Sequence, residues 1–374
     1  MGKIFLALLI HCNIVALTSA PVFLRVKDPV LSVWIAPHEL QGPFEYPSFR
    51  NPRKPGAVSL KTHLTQLLYG ECVIFLGGGD GASGMLHISI PSQLYCNQVT
   101  KAWGSTEGYA HERHFAICRE QALVTMVVQA VTARVHAEPS EQGALLISLP
   151  LGAVVQHATH EIINGYVKIT LLDGNSGFMR CCDLQVISEH VGDIAILRNA
   201  LCENAKKLIG MPYCWGGRSP FFGEIGARSQ SDYAIPTSVD CSGVVSLLMH
   251  SIGLFVPRNS TGQYAVATVV EPAAMQPGDI FFLQSELAHV SNHMLIYLGD
   301  GLVFEARGSD GSASSVRVSP IEKRFGMRLE ALRNNEYIDN THKAHRLLCG
   351  SFFSSQETVQ HRRNSFLLHL GHAN

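Results

Sequence analysis

The sequence predicts a multi-domain chain in which two small β-barrels precede an α+β domain. Three observations carry that expectation. Short apolar runs separated by turn signals fill residues 21 to about 190. A helical apolar period then begins at Ile194, and two strands flank a Gly-Asp-Gly turn at 299–301. A chain of 374 residues is long enough to bury more than one core.

The first twenty residues differ from the rest. Lys3 gives a short basic start, an apolar stretch runs from Ile4 to about Leu17, and Thr18-Ser19-Ala20 precedes Pro21. This shape predicts a signal peptide over 1–20 and a periplasmic or secreted protein. The apolar stretch is broken by His11, Cys12 and Asn13, so no stable membrane insertion is expected after cleavage. A formal net charge of −1 offers no electrostatic footprint for nucleic acid. Of ten cysteines, Cys12 lies in the signal, and none of the others shows the Cys-x-x-Cys spacing of a structural zinc site. No metal or organic cofactor is expected.

The β-rich part reads as two units, 28–115 and 116–190. In the second, Val167, Ile169 and Leu171 alternate with Lys168 and Thr170, which suits half-buried strands. Leu151-Gly152 and Asp173-Gly174 mark turns. The first shows a fainter pattern in LTQLLYGECVIF and WGSTEGYAHERHF, and RNPRKPG at 50–56 reads as a solvated loop. From about 195 to 330 the pattern changes. Ile194, Leu197, Leu201, Ala205 and Leu208 share one helical face, closed by Gly210. Residues 340–374 show no clear pattern and are read as a tail of unknown structure.

SVDCSGVVSLLMHSIG, residues 238–253, poses the functional question. Cys241, Val244, Val245, Leu248 and Ile252 fall on one helical stripe, and Gly253 ends the run. Asp240 is a good N-cap, so Cys241 sits in the first helical turn. One reading is a packed core thiol. The other is a nucleophile, because the positive end of the helix dipole favours thiolate there. The base would come from HMLIYLGDGLVFEA at 293–306. Met294, Ile296 and Leu298 should share a core face with Leu302, Phe304 and Ala306. The odd loop then puts His293 and Glu305 together on the opposite face. A carboxylate beside a histidine fixes its tautomer, as a cysteine–histidine–acid relay requires. His289 is a rival base, and a His289–His293 metal pair is disfavoured because i, i+4 spacing shares a face only on a helix.

These stretches resemble the NlpC family of papain-like cell-wall cysteine peptidases. The likeness spans about 195–325, a third of the chain, in five ordered parts: YCWGG (213–217), DCSG (240–243), VPRNSTGQ (256–263), MQPGDIFF (275–282) and the histidine hairpin. VTARVHAEPSEQGALLISLPLGAVV and GYVKITLLDGNSGFM resemble a bacterial SH3-like wall-binding domain. The resemblance implies Cys241 as nucleophile, His293 as base and then acid, and Glu305 as the orienting third residue, a slot that often holds histidine or asparagine. Tyr213 would border the site. WGGRSP is similar to a subgroup with N-terminal SH3-like domains that cleaves γ-D-glutamyl–diamino acid bonds in stem peptides with a free L-alanine. Asp240 and Ser242 would then bind substrate; Tyr109 of the first barrel is not counted among the site residues. The implied partner is peptidoglycan or its stem peptides. An amidase or acyltransferase using the same relay, and a non-catalytic wall-binding protein, are the other two readings. Residues 221–239 form a longer loop than the subgroup leads one to expect.

Overall fold

A computed structural model of the chain describes residues 21–35, 63–78, 84–97, 99–117, 125–221, 238–285, 291–308, 315–339 and 344–370. The signal segment, the 50–56 loop, His289 and residues 222–237 of the long loop lie outside these. The described residues fold mostly into antiparallel sheets with few helices.

The first sheet holds β1 (Val22–Val26), β2 (Val30–Trp34), β3 (His63–Leu68), β4 (Cys72–Gly78), β5 (Met85–Cys96), β6 (Trp103–His111) and β7 (Phe115–Ile117), in the order β3-β2-β6-β5-β4-β1-β7. The second holds β8 (Thr125–Val128), β9 (Thr132–His136), β10 (Leu145–Pro150), β11 (Val154–Ile163), β12 (Tyr166–Thr170), β13 (Ser176–Arg180) and β14 (Leu184–Ile187), in the order β10-β9-β13-β12-β11-β8-β14. Each wraps its own core. Leu24, Val33, Leu67 and Ile88 fill the first, and Val135, Leu149, Val167 and Ile169 the second. The alternation in β12 is as expected, with Val167 and Ile169 buried while Lys168 and Thr170 remain half-buried.

Helix α1 (Ile194–Lys206) follows, capped by the Asp193 side chain. Short strands β15 (Arg218–Ser219) and β16 (Ser238–Val239) pair just before α2 (Cys241–Ser251). Then come α3 (Ser260–Val266), β17 (Thr268–Val269), β18 (Ile280–Ser285), β19 (Ser291–Gly299), β20 (Leu302–Arg307), β21 (Ser315–Pro320) and α4 (Ile321–Phe325). The chain closes with β22 (Tyr337–Asp339), β23 (Ala344–Ser351) and α5 (Gln356–His369). These strands form a third sheet, β17-β23-β18-β19-β20-β21, with β22 on β23.

The stretch from 340, which reads as patternless, is thus integral to the fold. β23 lies inside the sheet, with Leu348 in one core and Leu347 and Cys349 in the other. A strand buried on both faces shows no alternation to read. Helix α5 buries arginines as well as Val359 and Phe366, which hides its period. Arg363 donates to the carbonyls of Ile252 (3.1 Å) and Gly253 (2.7 Å), so a cation closes the C-terminal end of α2.

Helix α2 is buried over its whole length, more than its predicted stripe. One side packs on β19 and β20, through Val244, Val245, Leu248, Met294, Ile296 and Phe304. Leu247 meets the Leu151–Gly152 turn of the second sheet, and the His250 ring packs edge-on against Phe366 of α5 at 4.8 Å. The interior of this junction holds an ion pair. Arg218 Nη1 donates to Glu71 Oε2 at 2.8 Å, with the two side chains 1% and 0% exposed. Glu71 belongs to the β3–β4 turn, so the pair joins the first sheet to the helix layer.

Candidate active site

The segment ahead of α2 is held by short backbone contacts. Cys214 N–H donates to Val239 O (3.2 Å), and Val239 N–H donates to Pro212 O (3.2 Å). Gly216 turns the chain with φ +79°. A Cβ on Gly243 would lie 2.2 Å from Gly217 O, so the glycine of Asp-Cys-Ser-Gly is what lets α2 start against this segment.

Asp240 caps α2 and does more. Its Oδ1 accepts from Gly243 N–H (2.6 Å), the Ser242 hydroxyl (3.2 Å) and Arg258 Nη1 (3.1 Å). Its Oδ2 accepts from Gly216 N–H (2.9 Å) and Arg258 Nη2 (2.7 Å). Burial alone would raise its pKa, but the Arg258 fork and the two backbone amides outweigh that and hold it below the ordinary carboxylate range. Arg258 Nε in turn donates to Thr65 Oγ1 of β3 at 2.9 Å. The cap of the thiol helix is therefore tied to the first sheet. Replacing Thr65 by Val removes this acceptor, together with the Thr65 hydroxyl's own bond to Gln93 Oε1 at 2.6 Å, at nearly constant volume. A loss of about 1–2 kcal/mol is expected in urea unfolding, and an unchanged midpoint would show that the link carries no stability.

Cys241 occupies the first turn, 8% exposed, in the same core layer as Met294. Helix position favours the thiolate, yet burial and then the Asp240 charge win and push the thiol up to about 12. Cys241 is thus a neutral thiol near pH 7. Tyr213 lies beside it, half-buried, with its phenol pushed well above the ordinary range by burial and then by the Cys241 charge. Ser242 is engaged with Asp240 and accepts from Arg258 Nη1 at 3.2 Å.

The hairpin has the predicted register. Ile296 faces Phe304, and Tyr297 faces Val303. Met294, Ile296, Phe304 and Ala306 line the face under α2, whereas Leu295, Tyr297 and Val303 line the opposite core. Leu302 departs from expectation. The pairing shifts beside the turn, and Leu302 is 36% exposed. His293 and Glu305 meet on the second face, with His293 Nε2 2.8 Å from Glu305 Oε2. Glu305 is 1% exposed, so its carboxylate is buried.

Glu305 also accepts from Arg324 Nε at 3.2 and 3.1 Å and from Arg317 Nε at 3.2 Å. Burial opposes its charge, but the His293 hydrogen bond and the arginines prevail and bring the carboxyl down to about 2. Because Glu305 is ionised, His293 Nε2 carries the proton and donates it, which leaves Nδ1 as the basic nitrogen. Burial lowers the His293 pKa more than Glu305 raises it, so the ring is held neutral. The depressed carboxyl stabilises the fold fully above its ordinary value of 4.5, and this is lost as the pH falls toward 2. The stability gap between wild type and Glu305→Gln should therefore narrow by about 2 kcal/mol from pH 6 to pH 3. Urea midpoints at the two pH values measure it, and a constant gap would contradict the assignment.

The structure thus brings His293 and Glu305 into contact, places Cys241, Asp240 and Ser242 at one helix start, and sets Tyr213 beside the thiol. Tyr109 pairs with Trp34 across β2 and β6 and stacks on His87 at 4.9 Å. Arg258 lies in the VPRNSTGQ stretch, whereas Arg317 and Arg324 are not singled out by sequence. The signal for Arg317 was its register, directly opposite Glu305. Among the described residues, no cluster of His, Cys, Asp or Glu could hold a metal ion, and no helix is long and apolar enough to cross a membrane.

Comparison with known proteins adds an independent line. Peptidoglycan endopeptidase RipB of Mycobacterium tuberculosis is 36% identical over 129 residues, 34% of this chain and 49% of that protein. Gamma-DL-glutamyl hydrolase of Bacillus subtilis is 30% identical over 109 residues, 29% of this chain and 23% of that protein. The chain therefore spans half or less of the length of these relatives. A solved NlpC/P60 family protein from Bacillus cereus shares the fold, with a TM-score of 0.57 at 18% identity, over 80% of this chain and 94% of that one. The NlpC/P60 family itself matches residues 210–329. That match opens just before Tyr213 and closes beyond Arg324, and this part of the chain is an NlpC/P60 domain.

Proposed function

We propose that the chain is a cysteine endopeptidase of peptidoglycan stem peptides and cuts the γ-D-glutamyl–diaminopimelate bond. The observation that carries this reading is the His293–Glu305 pair, whose Nε2 is committed to the carboxylate and whose Nδ1 is left basic. The names of the relatives, an endopeptidase of peptidoglycan and a γ-glutamyl hydrolase, favour the same bond class.

In this reading His293 Nδ1 takes the Cys241 proton as sulfur attacks the γ-glutamyl carbonyl carbon. The oxyanion is held by the Cys241 N–H and bordered by Tyr213. Collapse breaks the C–N bond, and His293 returns the proton to the leaving amine. Water, activated by the same nitrogen, then hydrolyses the thioester. Thiol and imidazole both start neutral, so the ion pair forms only as substrate excludes water and the sulfur attacks. No metal or organic cofactor enters.

Asp240 and Ser242 would meet the substrate amine at the helix start. Asp240 already accepts five hydrogen bonds, so an ammonium would have to share it with Arg258. We read the first two sheets (28–115 and 116–190) as SH3-like barrels that narrow the cleft and contact the wall. The catalytic unit is 195–330, in a protein secreted or exported to the periplasm with residues 1–20 as its signal.

Mass spectrometry of the protein with L-Ala-γ-D-Glu-diaminopimelate tests the proposal. Release of diaminopimelate is expected, with a loss of about tenfold or more when the L-alanine is N-acetylated. Transfer of the acyl group to an added amine would favour the acyltransferase reading, and no product at all the wall-binding one.

A further inference from the structure

Glu305 differs from its surroundings in one respect that the relay does not explain. A neutral group in its place would satisfy His293 Nε2 equally well. A carboxylate brings a full negative charge into a core, where it needs compensation. The structure supplies more than the histidine. Arg324 of α4 spans both Glu305 oxygens through Nε, with its side chain 9% exposed and its guanidinium 5.5 Å over the Phe325 ring. Arg317 reaches Oε1 from the neighbouring strand, directly across the ladder. Arg307, on the same strand as Glu305, adds a third positive charge near His293.

We infer that Arg324 and Arg317 are positioning residues that offset the charge of Glu305, so that it acts on His293 as a fixed acceptor rather than as a free counter-ion. The clamp has two effects. It fixes the carboxylate plane, and through it the ring of His293, against rotation. It also opposes the field that would hold a proton on Nδ1, and so adds to the burial that keeps the imidazole unprotonated near neutral pH. The role in hydrolysis rests on the function proposed above, whereas the effect on the histidine does not.

Two measurements test it on the full chain. The first is NMR titration of the His293 ring in wild type, Arg324→Met, Arg324→Lys and Arg317→Gln. Removing either cation should move the His293 titration to higher pH, with Arg324→Lys close to wild type. Arg317 is half exposed, so its variant is expected to fold even where Arg324→Met does not. The second is a cycle in kcat/KM on the stem peptide. Glu305→Gln leaves the arginines uncompensated, and adding Arg324→Met should regain about fivefold over Glu305→Gln alone. The acid limb of the pH profile should rise in Arg317→Gln in parallel with the titration. A His293 titration unmoved in both arginine variants would overturn the inference, as would losses that simply multiply in the double variant. If the wild type cleaves no stem peptide, the proposed function fails while the titration still decides the clamp.

Discussion

Cys241→Ala should lose stem-peptide hydrolysis by a factor on the order of 10⁴ or more while keeping its fold. The size follows from the mechanism. Without sulfur there is no thioester, and His293 and the helix start can only position water. The fold should survive, because removing one sulfur from a site that is 8% exposed costs about 1 kcal/mol. The measurement is product release by mass spectrometry beside a thermal melt. Retained hydrolysis in a folded Cys241→Ala protein would remove the cysteine mechanism altogether. Labelling should agree with the neutral thiol. With Cys241 pushed up to about 12, iodoacetamide should modify it slowly at pH 7 in the absence of substrate.

Arg218→Met should cause the largest loss of stability of any change considered, about 3–5 kcal/mol. Its guanidinium faces Glu71 in a space from which water is excluded. With Arg218 gone, Glu71 keeps the Leu68 N–H at 2.7 Å and a long contact to Ser92 at 3.5 Å. His250 Nδ1 lies 4.0 Å away, but burial lowers its pKa to about 4, so it is uncharged near neutral pH. Glu71→Gln/Arg218→Met should recover part of the loss, because the unpaired charge is then absent. Urea unfolding of the three variants measures both steps. Equal destabilisation of the single and double variants would show that Arg218 acts through packing and not through charge.

Much of the site could be read from local pattern. Asp-Cys-Ser-Gly before an apolar period places a capped helix start, and strand parity places His293 beside Glu305. Both depend on residues close in sequence, or joined by one short turn. The groups that were not legible act across distance. Arg258 reaches back to Thr65, and Arg218 reaches Glu71 in another sheet. No period or spacing announces such a pair, because the chain sets only each residue's own element. Alternation also misled where both faces of a strand are covered. In β23, Leu347 and Cys349 lie in one core and Leu348 in the other, so that strand offers no polar side to read. The helix dipole argument for Cys241 is incomplete, because burial outweighs the amides of the helix start. It counts the field of the helix and not the burial that surrounds its first turn.

The Glu71–Arg218 pair bears on how such a protein can be rearranged. An interchangeable cassette must be able to leave its neighbours with every buried charge matched. Here the helix layer carries one half of an internal ion pair and the first sheet the other. Removing the first sheet would leave Arg218 without its carboxylate in a buried place. Positions 71 and 218 can change only together. The first sheet and the segment ahead of α2 therefore share one buried charge balance.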